Sequence, residues 1–199
     1  MVYVYLSKRH PDRATEQTLQ LTVRAHLRRM SKPPVSDDKL QTARTALGKL
    51  YFPALPQLHV SVSHSGEYFV CALSDEPVGI DLQLFSRQEA GCARLWRIAR
   101  RYFHPTEQRF MTPNPLERFF TLWTARESYV KYTGQGIGKD FSRLCMIPQQ
   151  QALWPESTPS MWQTQGVWFR QSQDLPGYAL CVCTGSPSPW QITAVDLAG

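Results

Sequence analysis

Two stretches of this chain carry side chains whose types and spacing could do chemistry. In residues 115–133, Trp123, Glu127 and Lys131 recur at every fourth position. Helical neighbours four apart differ by only about 40° around the axis, so the three share one face. An aromatic, a carboxylate and an ammonium one turn apart could serve as wall, metal ligand or base, and proton donor. The ordinary alternative is a solvated Glu–Lys pair, worth about 0.3–0.5 kcal/mol, beside a core tryptophan. In residues 78–84, β alternation puts Ile80, Leu82 and Leu84 on one face and Gly79, Asp81 and Gln83 on the other. If the apolar set packs on a core, Asp81 and Gln83 lie side by side on an open face, and Gly79 leaves room for something bulky to approach it. Their oxygens suit Mg²⁺, a hard ion that keeps several waters and shares phosphate oxygens.

Two shorter segments point to anions. Ser63-His64-Ser65-Gly66 reads as a tight polar turn between hydrophobic strands. Its hydroxyls, exposed turn amides and imidazole suit phosphate oxygens. Gly48-Lys49 adds a cation on a flexible approach to the same sheet. Each of these taken alone is equally an ordinary hairpin turn or a surface lysine.

The elements that must position these residues follow from pattern and caps. Asn114 as N-cap, Pro115 at the first helical position, Glu117 closing a capping box and Gly134 and Gly136 as stops predict a helix over 115–133. Further helices are predicted over 14–30, 36–48 and 89–103, with a new segment starting at His104-Pro105. Strands are predicted at the N-terminus (residues 1–6) and over 59–63, 68–73, 78–84, 144–147, 167–170, 178–184 and 191–195. Residues 148–165, rich in Gln, Pro and Ser, read as a mobile loop. The order gives an α+β fold of two similar lobes that meet near residues 85–90.

Length and composition bound the function. The 199 residues, 42% hydrophobic and 19% charged, are enough for a sizeable core. No apolar run approaches the roughly 20 residues of a membrane span. The strand-like start precedes Lys8-Arg9, the reverse of a signal peptide, so a cytoplasmic protein is expected. The five cysteines lack the paired spacing of a metal clip and read as buried reduced thiols, with Cys181 and Cys183 on one face of a strand. The net charge of +6 arises within residues 1–49, and Arg94, Arg97 and Arg101 add a basic helix face. Such surfaces attract nucleic acid, a phosphate-rich cofactor or an acidic protein, and they also occur as plain soluble faces.

Gly48-Lys49-Leu50-Tyr51, Val62-Ser63-His64-Ser65-Gly66, Gly79-Ile80-Asp81-Leu82-Gln83 and Trp123-Thr124-Ala125-Arg126-Glu127-Ser128-Tyr129-Val130-Lys131 occur in that order. Together they resemble the successive signatures of the Sfp-type 4′-phosphopantetheinyl transferases, within the holo-acyl-carrier-protein synthase superfamily. The resemblance covers roughly residues 45–196 and extends to Tyr102–Glu107 and Pro176-Gly177-Tyr178.

It implies two α+β lobes related by a pseudo-twofold, residues 1–88 and 89–199, with the active site in the cleft between them. It also implies Mg²⁺-dependent transfer of the phosphopantetheine arm of coenzyme A to a serine of an apo acyl or peptidyl carrier protein, with release of adenosine 3′,5′-bisphosphate. By position, Asp81 and Glu127 would hold the metal, with Gln83 contributing directly or through water. Glu127 and Lys131 would be the catalytic groups, Lys131 neutralising or protonating the leaving phosphate. Lys49, Ser63 and His64 would contact the phosphates of coenzyme A, His64 near the 3′-phosphate, and Asp81 and Lys131 would complete that site. Lys8, Arg9 or Arg13 could assist, but that segment does not align. The implied partners are coenzyme A and the carrier protein, with no nucleic acid and no membrane, acting on a monomer.

Two positions depart from the family pattern. Gln83 stands where a Glu is usual, which removes one ligand charge, and Arg126 replaces a Lys. The first motivates an alternative reading as a coenzyme-A-binding relative with weakened catalysis. The charge alone motivates a third, a nucleic-acid-binding module, for which the sequence has no recognisable signature.

Overall fold

The computed structural model describes residues 1–9, 14–85, 93–112, 114–136, 139–148, 160–172 and 174–195. The alternating N-terminus forms β1 (Val2–Lys8), followed by α1 (Thr15–Arg29). A short pair, β2 (Ala43–Arg44) and β3 (Leu50–Tyr51), precedes β4 (His59–Ser65), β5 (Tyr68–Ser74) and β6 (Val78–Leu84). Three helices follow: α2 (Ala93–Tyr102), α3 (Pro105–Met111) and α4 (Pro115–Thr133). The chain ends in β7 (Met161–Thr164), β8 (Val167–Ser172), β9 (Tyr178–Thr184) and β10 (Trp190–Ala194).

Two four-stranded sheets carry this α+β fold, one in the order β10-β1-β5-β4 and the other β6-β9-β8-β7. Each half hands a strand to the other sheet. β6 follows β5 through a short turn yet pairs with β9, and β10 follows β9 yet lies parallel to β1. Val2, Val4, Val70 and Ala72 of the first sheet meet Val78, Ile80, Leu82, Leu180 and Val182 of the second in one buried cluster. α1 covers the outer face of the first sheet through Leu19 and Val23, beside Val60, Phe69 and Cys71. α4 covers the outer face of the second through Phe120, Leu122 and Ala125, beside Phe169, Cys181 and Cys183. The layers therefore run helix, sheet, sheet, helix, and strand β6 is buried on both sides.

That last fact corrects an expectation. The face of β6 bearing Gly79, Asp81 and Gln83 is covered by α4, and Asp81 is only 2% exposed. Gly79 does admit a close approach, and what approaches is α4 itself: a Cβ on Gly79 would stand 1.9 Å from the Ser128 carbonyl oxygen and 2.6 Å from the Tyr132 nitrogen. Only a residue without a side chain lets the helix backbone lie this close to the strand.

The expected helix over 36–48 is not formed. Asp37–Leu40 makes one 3₁₀ turn that buries Leu40, and the chain then extends into the β2–β3 hairpin. Gly48 turns that hairpin at φ +90°, a conformation a helix cannot accommodate. The strand expected at 144–147 is absent as well. A 3₁₀ helix (Lys139–Arg143) leads into an apolar strap whose backbone is satisfied by side chains rather than by a ladder. Leu144 and Met146 carbonyls accept from Arg126 and from Trp162 Nε1, and the Met146 amide donates to Glu107 at 2.7 Å.

The loop expected over 148–165 instead contains β7, an edge strand joined to β8 by a turn in which Gln165 and Gly166 both have positive φ. Residues 149–159 of that expected loop lie outside the described residues, as do 89–92 of the helix expected over 89–103. α1 and α4 form as predicted, although Glu117 bonds the side-chain amide of Asn114 (2.7 Å) rather than its backbone. Cys71, Cys145, Cys181 and Cys183 are buried free thiols, as expected.

A buried ion pair ties the helical layer together. Arg126 on α4 pairs with Glu107 on α3, both fully buried, and donates to the carbonyls of Phe141 (2.5 Å) and Leu144 (2.6 Å). Its guanidinium lies over the rings of Phe103 and Phe141, 5.0 and 5.4 Å from their centroids. Glu107 also accepts the amides of His104 and Met146, each at 2.7 Å.

Two stability predictions follow from these contacts. Gly79→Ala should cost at least about 1–3 kcal/mol by overpacking, read as a lower midpoint in urea unfolding. A variant within about 0.5 kcal/mol of wild type would show that α4 does not press on β6. Arg126→Met, which strands the Glu107 carboxylate in the core, should cost about 3–5 kcal/mol. A loss below about 1 kcal/mol would mean the pair is not what secures α3 and the strap.

Candidate active site

The site lies on the seam between the two sheets. β4 and β6 are the facing edge strands, and serine hydroxyls take the place of a backbone ladder between them. The Ile80 and Leu84 amides donate to Ser61 Oγ (3.0 Å) and Ser65 Oγ (2.9 Å). Between these two rungs, Ser63 Oγ donates to Asp81 Oδ1 at 2.8 Å. Alternation that points the odd-numbered serines at β6 turns His64 to the opposite face of β4, where it is exposed.

α4 supplies the other half. Trp123, Glu127 and Lys131 form its partly exposed stripe, flanked by buried positions. Trp123 stacks on Phe119 at 5.8 Å and joins Tyr102, Phe103 and Phe141 in an aromatic wall. Lys131 Nζ donates to Asp81 Oδ1 at 2.7 Å, and Gln83 Nε2 donates to Asp81 Oδ2 at 3.1 Å. Burial, and after it the neighbouring Asp81 charge, push the Glu127 carboxyl up to about 7 against a smaller opposing pull from Lys131. Asp81, Glu127, Lys131, Ser63 and Gln83 are thus brought into one electrostatic unit, from segments up to 68 residues apart (63 to 131).

Lys49 sits one step away, at the C-terminal end of α4. Its ammonium donates to the Tyr132 carbonyl and lies 5.8 Å from the centre of the Tyr132 ring, and its stem packs against Gly134. A helix C-terminus favours a cation there, and burial lowers the pKa of this one. Lys49 and Lys131 both border a cavity of about 170 Å³ whose walls include Arg44, Ser61, Val62 and Gly134. Three cationic side chains line one small cavity and give its wall a positive character. Arg44 was missed by sequence reasoning because its segment reads as a helix. Only the β2–β3 hairpin, with Arg44 bonded to the Gly48 carbonyl at 2.9 Å, carries it to the cavity rim.

The oxygens present fit a hard divalent ion. Burial, and after it the Asp81 charge, hold the Glu127 carboxyl up at about 7, and an ammonium already occupies the position a cation would favour. Among the described residues no three His, Cys, Asp or Glu side chains cluster as a closed metal cage. Asp81 and Glu127 contribute carboxylate oxygens, the donor type that a hard divalent ion takes alongside water. The thiol of Cys181, opposite Asp81 in the β6–β9 register, is pushed up to about 12 by burial.

Comparison with known proteins gives the family. A model of the 4′-phosphopantetheinyl transferase superfamily matches residues 77–183, from β6 to β9. A 4′-phosphopantetheinyl transferase of Bacillus subtilis is 38% identical over 94 residues, covering 45% of this chain and 39% of that protein. Psf-1 of Bacillus pumilus is 33% identical over 150 residues (71% of this chain, 59% of that protein). Sfp of Bacillus subtilis strain 168 is 31% identical over 179 residues (87% and 75%). The chain thus spans less than two thirds of the first two relatives and three quarters of the third. With the superfamily model covering more than half of its length and Sfp matched over most of both chains, this protein belongs to the 4′-phosphopantetheinyl transferase superfamily.

Proposed function

We propose that the protein transfers the 4′-phosphopantetheine arm of coenzyme A to a serine of an apo acyl or peptidyl carrier protein, releasing adenosine 3′,5′-bisphosphate. The observation that carries this reading is the Asp81–Lys131 pair with Glu127 beside it, on the rim of a cavity that also presents Arg44 and Lys49. Asp81 and Glu127 would hold a magnesium ion, with Gln83 turned toward it or served by water. The ion would supply charge neutralisation at the pyrophosphate, the main requirement of phosphoryl transfer.

The chain's own residues account for the rest. Lys49 and Arg44 bind phosphate oxygens in the cavity, and Ser63 fixes Asp81, while His64 is exposed on the other side of β4 and does not line the cavity. The carrier serine oxygen bonds to phosphorus as the phosphorus–oxygen bond to the nucleotide breaks. Glu127 would accept the serine proton, and Lys131 would neutralise or protonate the departing phosphate. Both carboxylates and the ammonium come from one chain, which supports a monomer as the working unit. We place the protein in the cytoplasm, a reading supported by four buried thiols that suit a reducing compartment. No described helix is long and apolar enough to cross a membrane.

Incubation with coenzyme A, Mg²⁺ and an apo carrier protein should add the mass of the arm to the carrier. Binding of coenzyme A without transfer would instead support a weakened relative, the reading favoured by Gln83 donating to Asp81 rather than offering a charge. Asp81→Asn and Glu127→Gln should each lower turnover by at least about 10²–10³-fold, and near-normal rates in either would refute the metal assignment. Gln83→Glu should tighten Mg²⁺ binding in calorimetry, because a third carboxylate would replace a donor; unchanged affinity would place that side chain elsewhere.

The pH dependence follows from Glu127. Its proton must leave before an ion binds, so Mg²⁺ affinity should fall about tenfold per pH unit below about 7 and level off above it. In Glu127→Gln this dependence should vanish. A wild-type affinity that stayed flat from about pH 5 to 8 would contradict the assignment.

A further inference from the structure

We propose that Lys131 exchanges partners during ligand binding: without a divalent cation its ammonium is the counter-ion of Asp81, and a cation entering beside Asp81 releases it into the adjoining cavity to bind phosphate. The inference rests on the reading above and concerns how the metal and phosphate halves of that site are coupled.

Three donors already share the Asp81 carboxylate. Ser63 and Lys131 both bond Oδ1, at 2.8 and 2.7 Å, and Gln83 bonds Oδ2 at 3.1 Å. An incoming hard cation needs one of those oxygens at about 2.0–2.1 Å. Ser63 and Gln83 are neutral and can share a carboxylate with a cation. The Lys131 ammonium is the donor that an incoming cation opposes, since two positive centres on one carboxylate repel each other. Lys131 is therefore the partner that the exchange displaces.

It also has somewhere to go. The Lys131 side chain is 29% exposed, against 3% for Asp81, and it forms part of the wall of the cavity. A four-carbon stem reaches from one position to the other by rotating its own bonds. The other two cations of the cavity are anchored to backbone: Lys49 to the Tyr132 carbonyl and Arg44 to the Gly48 carbonyl. Lys131 is the cation whose partner is a carboxylate that a metal would claim. Phosphate binding then gains a positive group only once the metal is in place. This makes the affinity for a phosphate-bearing ligand depend on the cation through the protein as well as through direct metal–phosphate contact.

The test compares wild type with Lys131→Gln, which keeps an N–H donor for Asp81 but no charge, and with Lys131→Met. Coenzyme A is titrated calorimetrically into each full-length protein, once with Mg²⁺ and once with EDTA. Partner exchange predicts affinities within about twofold of wild type in EDTA, where Lys131 is engaged with Asp81. With Mg²⁺ the variants should bind about tenfold or more weakly, the loss expected for one charge-assisted hydrogen bond. A Mg²⁺ titration without coenzyme A should show tighter cation binding in the variants, because the competitor is gone. Equal losses of coenzyme A affinity in both buffers would mean Lys131 reaches phosphate without any exchange and would overturn the proposal. No loss in either buffer would mean it never leaves Asp81, which also overturns it. Failure of wild type to bind coenzyme A in either buffer would sink the functional reading itself, and this inference with it.

Discussion

Helix α4 can lie on strand β6 only because position 79 has no side chain. The Ser128 carbonyl and Tyr132 amide occupy the space that a Cβ would need. At that separation a residue one step along the strand faces a residue about one turn along the helix. Asp81 meets Lys131 across the crossing, and Glu127 falls within reach of the Asp81 charge. A larger residue at 79 would lift the helix and dissolve the pairing, so the geometry of the site is set by a packing constraint rather than by the charged groups themselves.

The charged groups in turn sit in two buried ion pairs of different character. Arg126–Glu107 is closed: backbone amides bond the carboxylate, carbonyls accept from the guanidinium, and aromatic rings cover it, with only Arg126 Nε left without a partner among the described residues. Such a pair fixes geometry, since leaving either charge alone in the core is costly. Lys131–Asp81 is open on one side to a cavity ringed with cations. Glu127 next to it is displaced toward neutrality first by its burial and then by the Asp81 charge, which one ammonium only partly offsets. Adjacent residues 126 and 127 on one helix thus divide the labour, one securing the helix to α3 and the strap, the other lying beside the Asp81 charge. Arg suits the first task better than Lys because a planar fork reaches two carbonyls and a carboxylate at once.

Much of this was legible in the sequence where local rules decide. Asn114, Pro115 and Gly134 bound α4 as written, and the fourfold spacing placed Trp123, Glu127 and Lys131 on one face. The alternation of β6 put Gly79, Asp81 and Gln83 together, opposite Ile80 and Leu82. Local rules failed where a segment's backbone is satisfied from a distance. Residues 144–147 read as a strand because they are apolar, but Arg126, Glu107 and Trp162 supply the hydrogen bonds that a neighbouring strand would have given. Residues 36–48 read as a helix because of the acidic first turn, but burial of Leu40 and the positive φ of Gly48 favour a hairpin that delivers Arg44 to the cavity.

The sequence by itself determined which side chains share a face within each element, because side-chain direction in a helix or strand follows from backbone periodicity alone. It also carried the ordered motifs of the superfamily. Only the tertiary structure decided what each face meets: that α4, and not solvent, covers Asp81, that Ser63 serves the carboxylate while His64 turns away, and that Lys49 caps a helix beside the cavity. Those outcomes depend on contacts between residues far apart in the chain, and no periodicity within one segment encodes the surface another segment will press against it.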